Sequence, residues 1–355
     1  MLASRAWLWA TAVLTAAALV SAVILAPPAG AAPARALSWL LFAGSSAHVA
    51  STAWLFTVPA VRGYAAQHLV KCVWVPVSLI VIASSAAAAA SPAQFQWLLL
   101  PYLGWQFYHY QKQNTGMASL AASAQRAGAL LRAERWPLML AGLAGIVALI
   151  ARPGLLGLRV QPLGPVPFGH GAFLLSAATY VIAAAAGGAA IARRPRALRP
   201  AGFCVIYLAC LLFYLPAFVF PSPYAAVGGM TIAHGAQYLL LVTLIAGGNA
   251  ANVRWRLSRP ARLALLANIS FIGGAALSTA SHLHNAGHLG RFAFGAYLGV
   301  VMAHFVIDAG LWRMRDPLAR RFLMTHLPYL MPERPNQDEP REIRVLRSPI
   351  DRQPI

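Results

Sequence analysis

The chain has 355 residues, 59% of them hydrophobic and only 10% charged, and its 28 Lys and Arg against 8 Asp and Glu give a formal charge of +20. Apolar runs of about 20 residues, the length needed to cross a bilayer as a helix, follow one another along it, which excludes a soluble globular enzyme. The basic residues fall between these runs rather than on a polar domain, so they read as membrane topology and not as a surface for nucleic acid.

Lipid cannot satisfy free backbone groups, and the runs lack the alternation of barrel strands. The expected fold is therefore all-α: a polytopic integral membrane bundle of about ten transmembrane helices over residues 1–312, with spans near 7–26, 37–60, 68–90, 93–112, 136–151, 170–192, 199–220, 224–248, 262–280 and 292–312. The first run follows Arg5 and precedes AGAAPARA, as a signal peptide would. Its apolar length exceeds the usual h-region of about 7–15 residues, so it reads as an uncleaved anchor.

Positive residues accumulate on the cytoplasmic side. Alternate connections carry Arg62, Lys71, Lys112, Arg126, Arg132, Arg135, Arg193, Arg194, Arg196, Arg199, Arg254, Arg256, Arg259 and Arg262, while those between hold only Arg35, Arg152, Arg159 and Arg291. This predicts both termini in the cytoplasm, a bacterial-type inner membrane, and the lipid bilayer as the protein's first partner, with anionic headgroups as a secondary attraction for the arginines.

Between the spans, NTGMASLAASAQRAGALLRAERW (113–135) predicts a helix lying along the membrane interface, and RPGLLGLRVQPLGPVPFG (152–169) an irregular loop. Alanine- and glycine-rich stretches such as AAAAGGAAIA allow close helix approach, and Pro59, Pro76, Pro101 and Pro216 are possible kinks or ends. Cys72, Cys204 and Cys210 fall within spans and form no CxxC motif. Lys71, near a helix start, is placed to snorkel to the interface. Residues 313–355 mix Pro, Arg and acids, and read as a basic, disordered cytoplasmic tail, helical near MRDPLARRFLMTHL.

The acidic residues locate the candidate site. Glu134 is assigned to a loop, and Asp316, Glu333, Asp338, Glu339, Glu342 and Asp351 to the tail, leaving Asp308 as the intramembrane carboxylate. A charge at mid-span costs about 2.5–3.5 kcal/mol even on the lenient insertion scale, so Asp308 should face the bundle interior with a partner. Its neighbour one turn earlier is His304, and three further spans carry a histidine with a polar residue three or four positions on: His48 with Ser51 and Thr52, His109 with Gln113, and His234 with Gln237 and Tyr238. At about 1.5 Å per residue, His48, His234 and His304 fall near the midplane, while His109 and Asp308 form a second band below.

Imidazole suits Zn, Cu and Fe, and metal binding would offset the cost of burying several histidines. The predicted ligands are His48, His109, His234 and His304, with Asp308 as ligand or proton acceptor, Tyr238 as a second catalytic candidate, and Gln113 and Gln237 as outer supports. A deep apolar site points to a lipophilic small-molecule substrate and to non-haem iron oxidoreductase chemistry, with copper and zinc as other metals. Two alternatives compete: a membrane cytochrome with haem on two of the histidines, and a proton-coupled transporter relaying through His304 and Asp308. An assembly factor would leave a similar trace. The outer loop SHLHNAGHLGR, with His282, His284 and His288, is a separate and weaker metal candidate, which His170 could join; His68 and His326 are assigned to the surface. Trp105, Phe107, Tyr108 and Tyr110 suggest an interfacial aromatic belt.

With its many spans and scattered intramembrane histidines, the chain resembles in general plan the bacterial membrane carotene oxygenases of the Brp/Blh type. The likeness is one of architecture, with no motif aligned residue by residue, and it implies neither a substrate nor a residue role.

Overall fold

A computed structural model describes residues 2–28, 31–158, 167–248, 257–313 and 316–331, and among these every regular element is helical. In chain order they are α1 (Leu2–Ile24); α2 (residues 35–55), in which Arg35–Phe42 and His48–Leu55 are joined by a π-helical turn at Ala43–Ala47; α3 (Pro59–Gln67); α4 (Val70–Ala89); and α5 (Pro92–Ala124). There follow α6 (Arg132–Ala151), α7 (Pro167–Arg193), α8 (Ala201–Leu211), α9 (Tyr224–Gly247), α10 (Arg259–Asn285), α11 (His288–Leu311) and α12 (Pro317–His326).

Seven of these are long and apolar enough to cross a membrane: α1, α4, α6, α7, α9, α10 and α11. The chain is thus a multi-pass helical membrane protein, and the expected count of ten is not reached on that measure. The expected span over 199–220 breaks up, because α8 ends at Leu211 and only a short turn, Pro216–Val219, follows. Helices α2 and α5 have the length but carry too many polar residues, and those residues are the ones that build the candidate site. The side on which the termini lie rests on the Lys and Arg distribution alone.

Helix α5 corrects the sequence reading in a second way. It runs unbroken for 33 residues from a capping box at Ser91 and Gln94, passing Pro101. At about 1.5 Å per residue it spans roughly 50 Å, well beyond the hydrocarbon core. The segment assigned to a separate interfacial helix is mostly its continuation, and Asn114, Met117, Ala118, Ala121 and Ala122 are buried in the bundle rather than laid on a surface. Nothing between 111 and 124 breaks a helix, since Ala, Leu and Ser dominate and a single Gly116 is too weak a stop.

Glu134 is likewise no loop residue. It occupies the first turn of α6, where its carboxylate accepts from the Leu131 N–H at 2.9 Å, and it is fully buried. Arg194, also buried, donates to both carboxylate oxygens at 2.6 Å and to the carbonyls of Ala127 and Ala129. The Tyr207 hydroxyl donates to the Glu134 carbonyl at 2.8 Å. This closed set of partners offsets the desolvation of the two charges and ties α6 to the end of α7 and to α8.

The first part of the expected tail is ordered. Asp316 caps α12 by accepting from Leu318 N at 2.8 Å, Ala319, Phe322, Leu323 and His326 are buried, and Phe322 meets Trp312 at the end of α11. His326 is therefore not a surface residue: burial lowers its pKa, and its Nδ1 donates to the Phe322 carbonyl at 2.9 Å. The outer loop 152–169 begins with a 3-10 turn at Pro153–Leu156 and a left-handed Gly157; residues 159–166, like the tail from 332 to 355, lie outside the described residues.

Candidate metal centre

Close helix approach brings the histidines together. A Cβ on Gly235 of α9 would run into the carbonyl of Gly44 in α2, and one on Gly44 into the backbone of Ile232, so these two glycines let the helices touch. The contact lies at the π-helical turn of α2, immediately before His48, and one residue after His234. Such turns re-aim the side chains that follow them and are frequent at functional sites. On α11, Gly295 and Gly299 allow the same close packing against Ala83, Ser84 and Ile80 of α4, which seats the helix that carries His304 and Asp308.

The result is a ring of four imidazoles from α2, α5, α9 and α11. His48 lies 5.0 Å from His234 and 5.1 Å from His304, and His109 lies 5.0 Å from His234 and 5.1 Å from His304, centroid to centroid. The two bands expected from helix counting are thus one cluster. His48, His234, His304 and Asp308 are each under 5% exposed, and His109 is 9% exposed. Tyr110 stacks on His234 at 4.0 Å and Phe305 on His109 at 4.6 Å, closing the outside of the ring.

The Nε2 atoms of all four histidines are buried with no hydrogen-bond partner. A buried polar atom left unmatched costs free energy comparable to a lost hydrogen bond, and four in one place is a cost that a bound cation removes. Asp308 Oδ2 lies 3.6 Å from His304 Nε2 and 3.9 Å from His109 Nε2, beyond hydrogen-bonding reach. Two donors held about 2.1 Å from one ion are separated by about 3.0–4.2 Å, which is this spacing. Two groups of donors close enough to share an ion result, His48 with His234 and His304, and His109 with His304 and Asp308, and His304 belongs to both.

A hydrogen-bonded chain orients His304. The Tyr238 hydroxyl donates to Asp308 Oδ1 at 3.1 Å. Its oxygen is then free to accept from Thr52, 2.9 Å away, and the Thr52 oxygen to accept from His304 Nδ1, at 2.7 Å. This direction places the His304 proton on Nδ1 and leaves the Nε2 lone pair pointing into the ring, the arrangement a metal-ligating histidine needs.

Gln113 and Gln237 stand elsewhere than expected. Gln113 donates to the backbone carbonyl of His234 and to the side-chain oxygen of Gln237, both at 3.0 Å, and Gln237 donates to Thr15 of α1 at 2.8 Å. They fasten α5, α9 and α1 together behind the site, and neither makes a hydrogen bond to an imidazole nitrogen. In the expected aromatic belt, Phe107 and Tyr110 are buried, Trp105 packs on Phe305, and only Tyr108 is exposed. The outer-loop histidines do not converge: His282 and His284 meet the carbonyls of Ser278 and Ser281, and His288 that of Ala88 on α4. His170 and His68 are exposed.

The sequence reading missed Thr52 as a site residue, although its place four residues after His48 put both on one helical face. It also missed Tyr110 and Phe305, whose partners lie on other helices and leave no local signal. No family model, curated protein or solved structure matches the chain.

Proposed function

We propose that the protein is a membrane-embedded non-haem iron oxidoreductase acting on a lipophilic molecule that enters from the bilayer, in a bacterial-type inner membrane. The observation that carries this reading is the set of four buried Nε2 atoms without partners, on histidines that fall into two possible donor groups with a carboxylate in one of them. His48, His109, His234 and His304 would hold the ion, and Asp308 would complete the set or accept a proton. Mixed imidazole and carboxylate donors, in two groups that share His304, suit iron. Iron would supply redox chemistry at this position. Around it, Thr52 holds the His304 tautomer, Tyr238 holds Asp308 by donating to Oδ1, and the apolar helices exclude water from the reacting groups.

A haem reading is disfavoured by packing. Imidazole rings 5.0–5.1 Å apart, with Tyr110 and Phe305 stacked outside, leave no slot for a macrocycle between them. One observation favours a second reading, proton-coupled transport: the chain from His304 through Thr52 and Tyr238 to Asp308 is a ready proton path. Elemental analysis and an absorption spectrum of detergent-purified protein, beside His304→Ala, decide between them. Stoichiometric iron lost in the variant supports the oxidoreductase. Wild type purified gently without metal sinks it, and proton-driven uptake into liposomes is then the assay to run.

A further inference from the structure

Beside His48 lies a small cavity of about 20 Å³, with walls from three of the ring-bearing helices: Ser45 and His48 of α2, Tyr102 and Gln106 of α5, and Tyr297 and Val301 of α11. Two more of its walls are Tyr110 and Phe305, the rings stacked on His234 and His109. The cavity therefore touches the imidazole ring or its immediate packing at three of its four members.

The two sides of the ring differ. Along α11, Asp308 follows His304 by one turn, and Tyr297 and Val301 precede it; along α5, Tyr102 and Gln106 precede His109; along α2, Ser45 precedes His48 and Thr52 follows it. The residues after the histidines, Thr52, Tyr238 and Asp308, are bonded to one another and fill their side of the ring. Those before them leave a void. Its lining mixes hydroxyl and carboxamide groups with apolar walls, and Gln106 donates to the Tyr110 hydroxyl at 2.7 Å.

We propose that this cavity is the binding site for an exogenous ligand of the ion, and that the ligand is no larger than water or a diatomic molecule. The inference rests on the metal reading above and adds which face of the centre is open and how large a ligand it admits. A void of this volume holds about one water, and the polar lining supplies the partners a bound water or diatomic needs. A centre filled on one side by Asp308 can exchange ligands only on the other. The bulky lipophilic substrate would then remain outside the ring, and only the small co-ligand would reach the ion.

The test uses nitric oxide on reduced, iron-loaded, full-length protein in detergent, read by the electron paramagnetic resonance signal of the iron–nitrosyl, with iron content measured on the same samples. Val301→Phe fills the cavity from α11 without replacing a proposed ligand. It should keep its iron and bind nitric oxide about tenfold or more weakly than wild type. Val301→Ala enlarges the cavity and should let azide, which the wild-type cavity should exclude, perturb the signal. Full nitric oxide binding in an iron-replete Val301→Phe protein would overturn the proposal while leaving the metal reading intact. Absence of iron from the wild type would remove both. If Val301→Phe fails to fold, Val301→Ala decides alone, since an azide response unchanged from wild type means the open face lies elsewhere.

Discussion

Thr52 and His304, 252 positions apart in the chain, meet through a 2.7 Å hydrogen bond between Oγ1 and Nδ1. The bond selects one tautomer of one ring in a cluster of four, and it does so from the helix that also supplies His48. Thr52→Val keeps the shape and removes the acceptor. Metal affinity should fall by about 10–100-fold, as when other partners behind a ligating histidine are removed, and Thr52→Ser should restore it. Competition with a graded series of chelators measures the difference. Equal affinity in Val, Ser and wild-type proteins would leave Thr52 with a packing role only.

Each of His48→Ala, His109→Ala, His234→Ala and His304→Ala should insert and purify with less metal than wild type. His304→Ala should lose the most, because His304 belongs to both donor groups. Metal per protein, measured by elemental analysis, gives the order. A His304→Ala protein with wild-type stoichiometry would exclude it as an essential ligand.

Asp308→Asn retains the shape but abolishes the carboxylate charge. If Asp308 takes up a proton during turnover, the rate should drop by about 10²–10⁴-fold while most of the metal remains. If the variant instead melts at a lower temperature in mild detergent with its rate and metal content unchanged, Asp308 serves only to hold Tyr238.

The contact between Gly44 and Gly235 predicts an effect at a distance from any ligand. Gly235→Ala forces α2 and α9 apart, at a cost of about 1–3 kcal/mol for overpacking, and should separate His48 from His234. Lower thermal stability together with reduced metal content is the expected pair of readouts. Loss of stability with full metal content would show that the ring tolerates the shift.

Glu134 and Arg194 supply the contrast. Arg194→Met leaves a buried carboxylate unpaired, which costs about 3–5 kcal/mol. The folded fraction should still carry metal at wild-type stoichiometry, since Glu134 lies on α6 and Arg194 just past the end of α7, away from the ring. Melting temperature and metal per folded protein, measured together, separate the two effects.

Much of this arrangement was legible in sequence, for a physical reason. Hydrocarbon makes every buried polar side chain expensive, so His48, His109, His234, His304 and Asp308 stand out against apolar neighbours, and all five converge. Apolar length likewise marked α1, α4, α6, α7, α9, α10 and α11. What local pattern could not carry was contact between helices. Thr52 reaches His304 across the bundle, and Gln237 looked like a support for His234 yet turns to Thr15. Glu134 read as a loop acid because its partner, Arg194, is 60 positions away and was counted as a topology charge. The continuity of α5, by contrast, was open to local reading, since nothing between 111 and 124 stops a helix.

The polarity of α2 and α5 has a consequence for biosynthesis. Neither helix reaches the apolarity of the seven spanning helices, and the partners of α2, α9 and α11, emerge some two hundred residues after it. Until then its histidine, serines and threonine lack the neighbours that shelter them in the finished bundle. The site is completed only when α11 is in place, because that helix brings His304 and Asp308, so a chain truncated before it should hold no metal there.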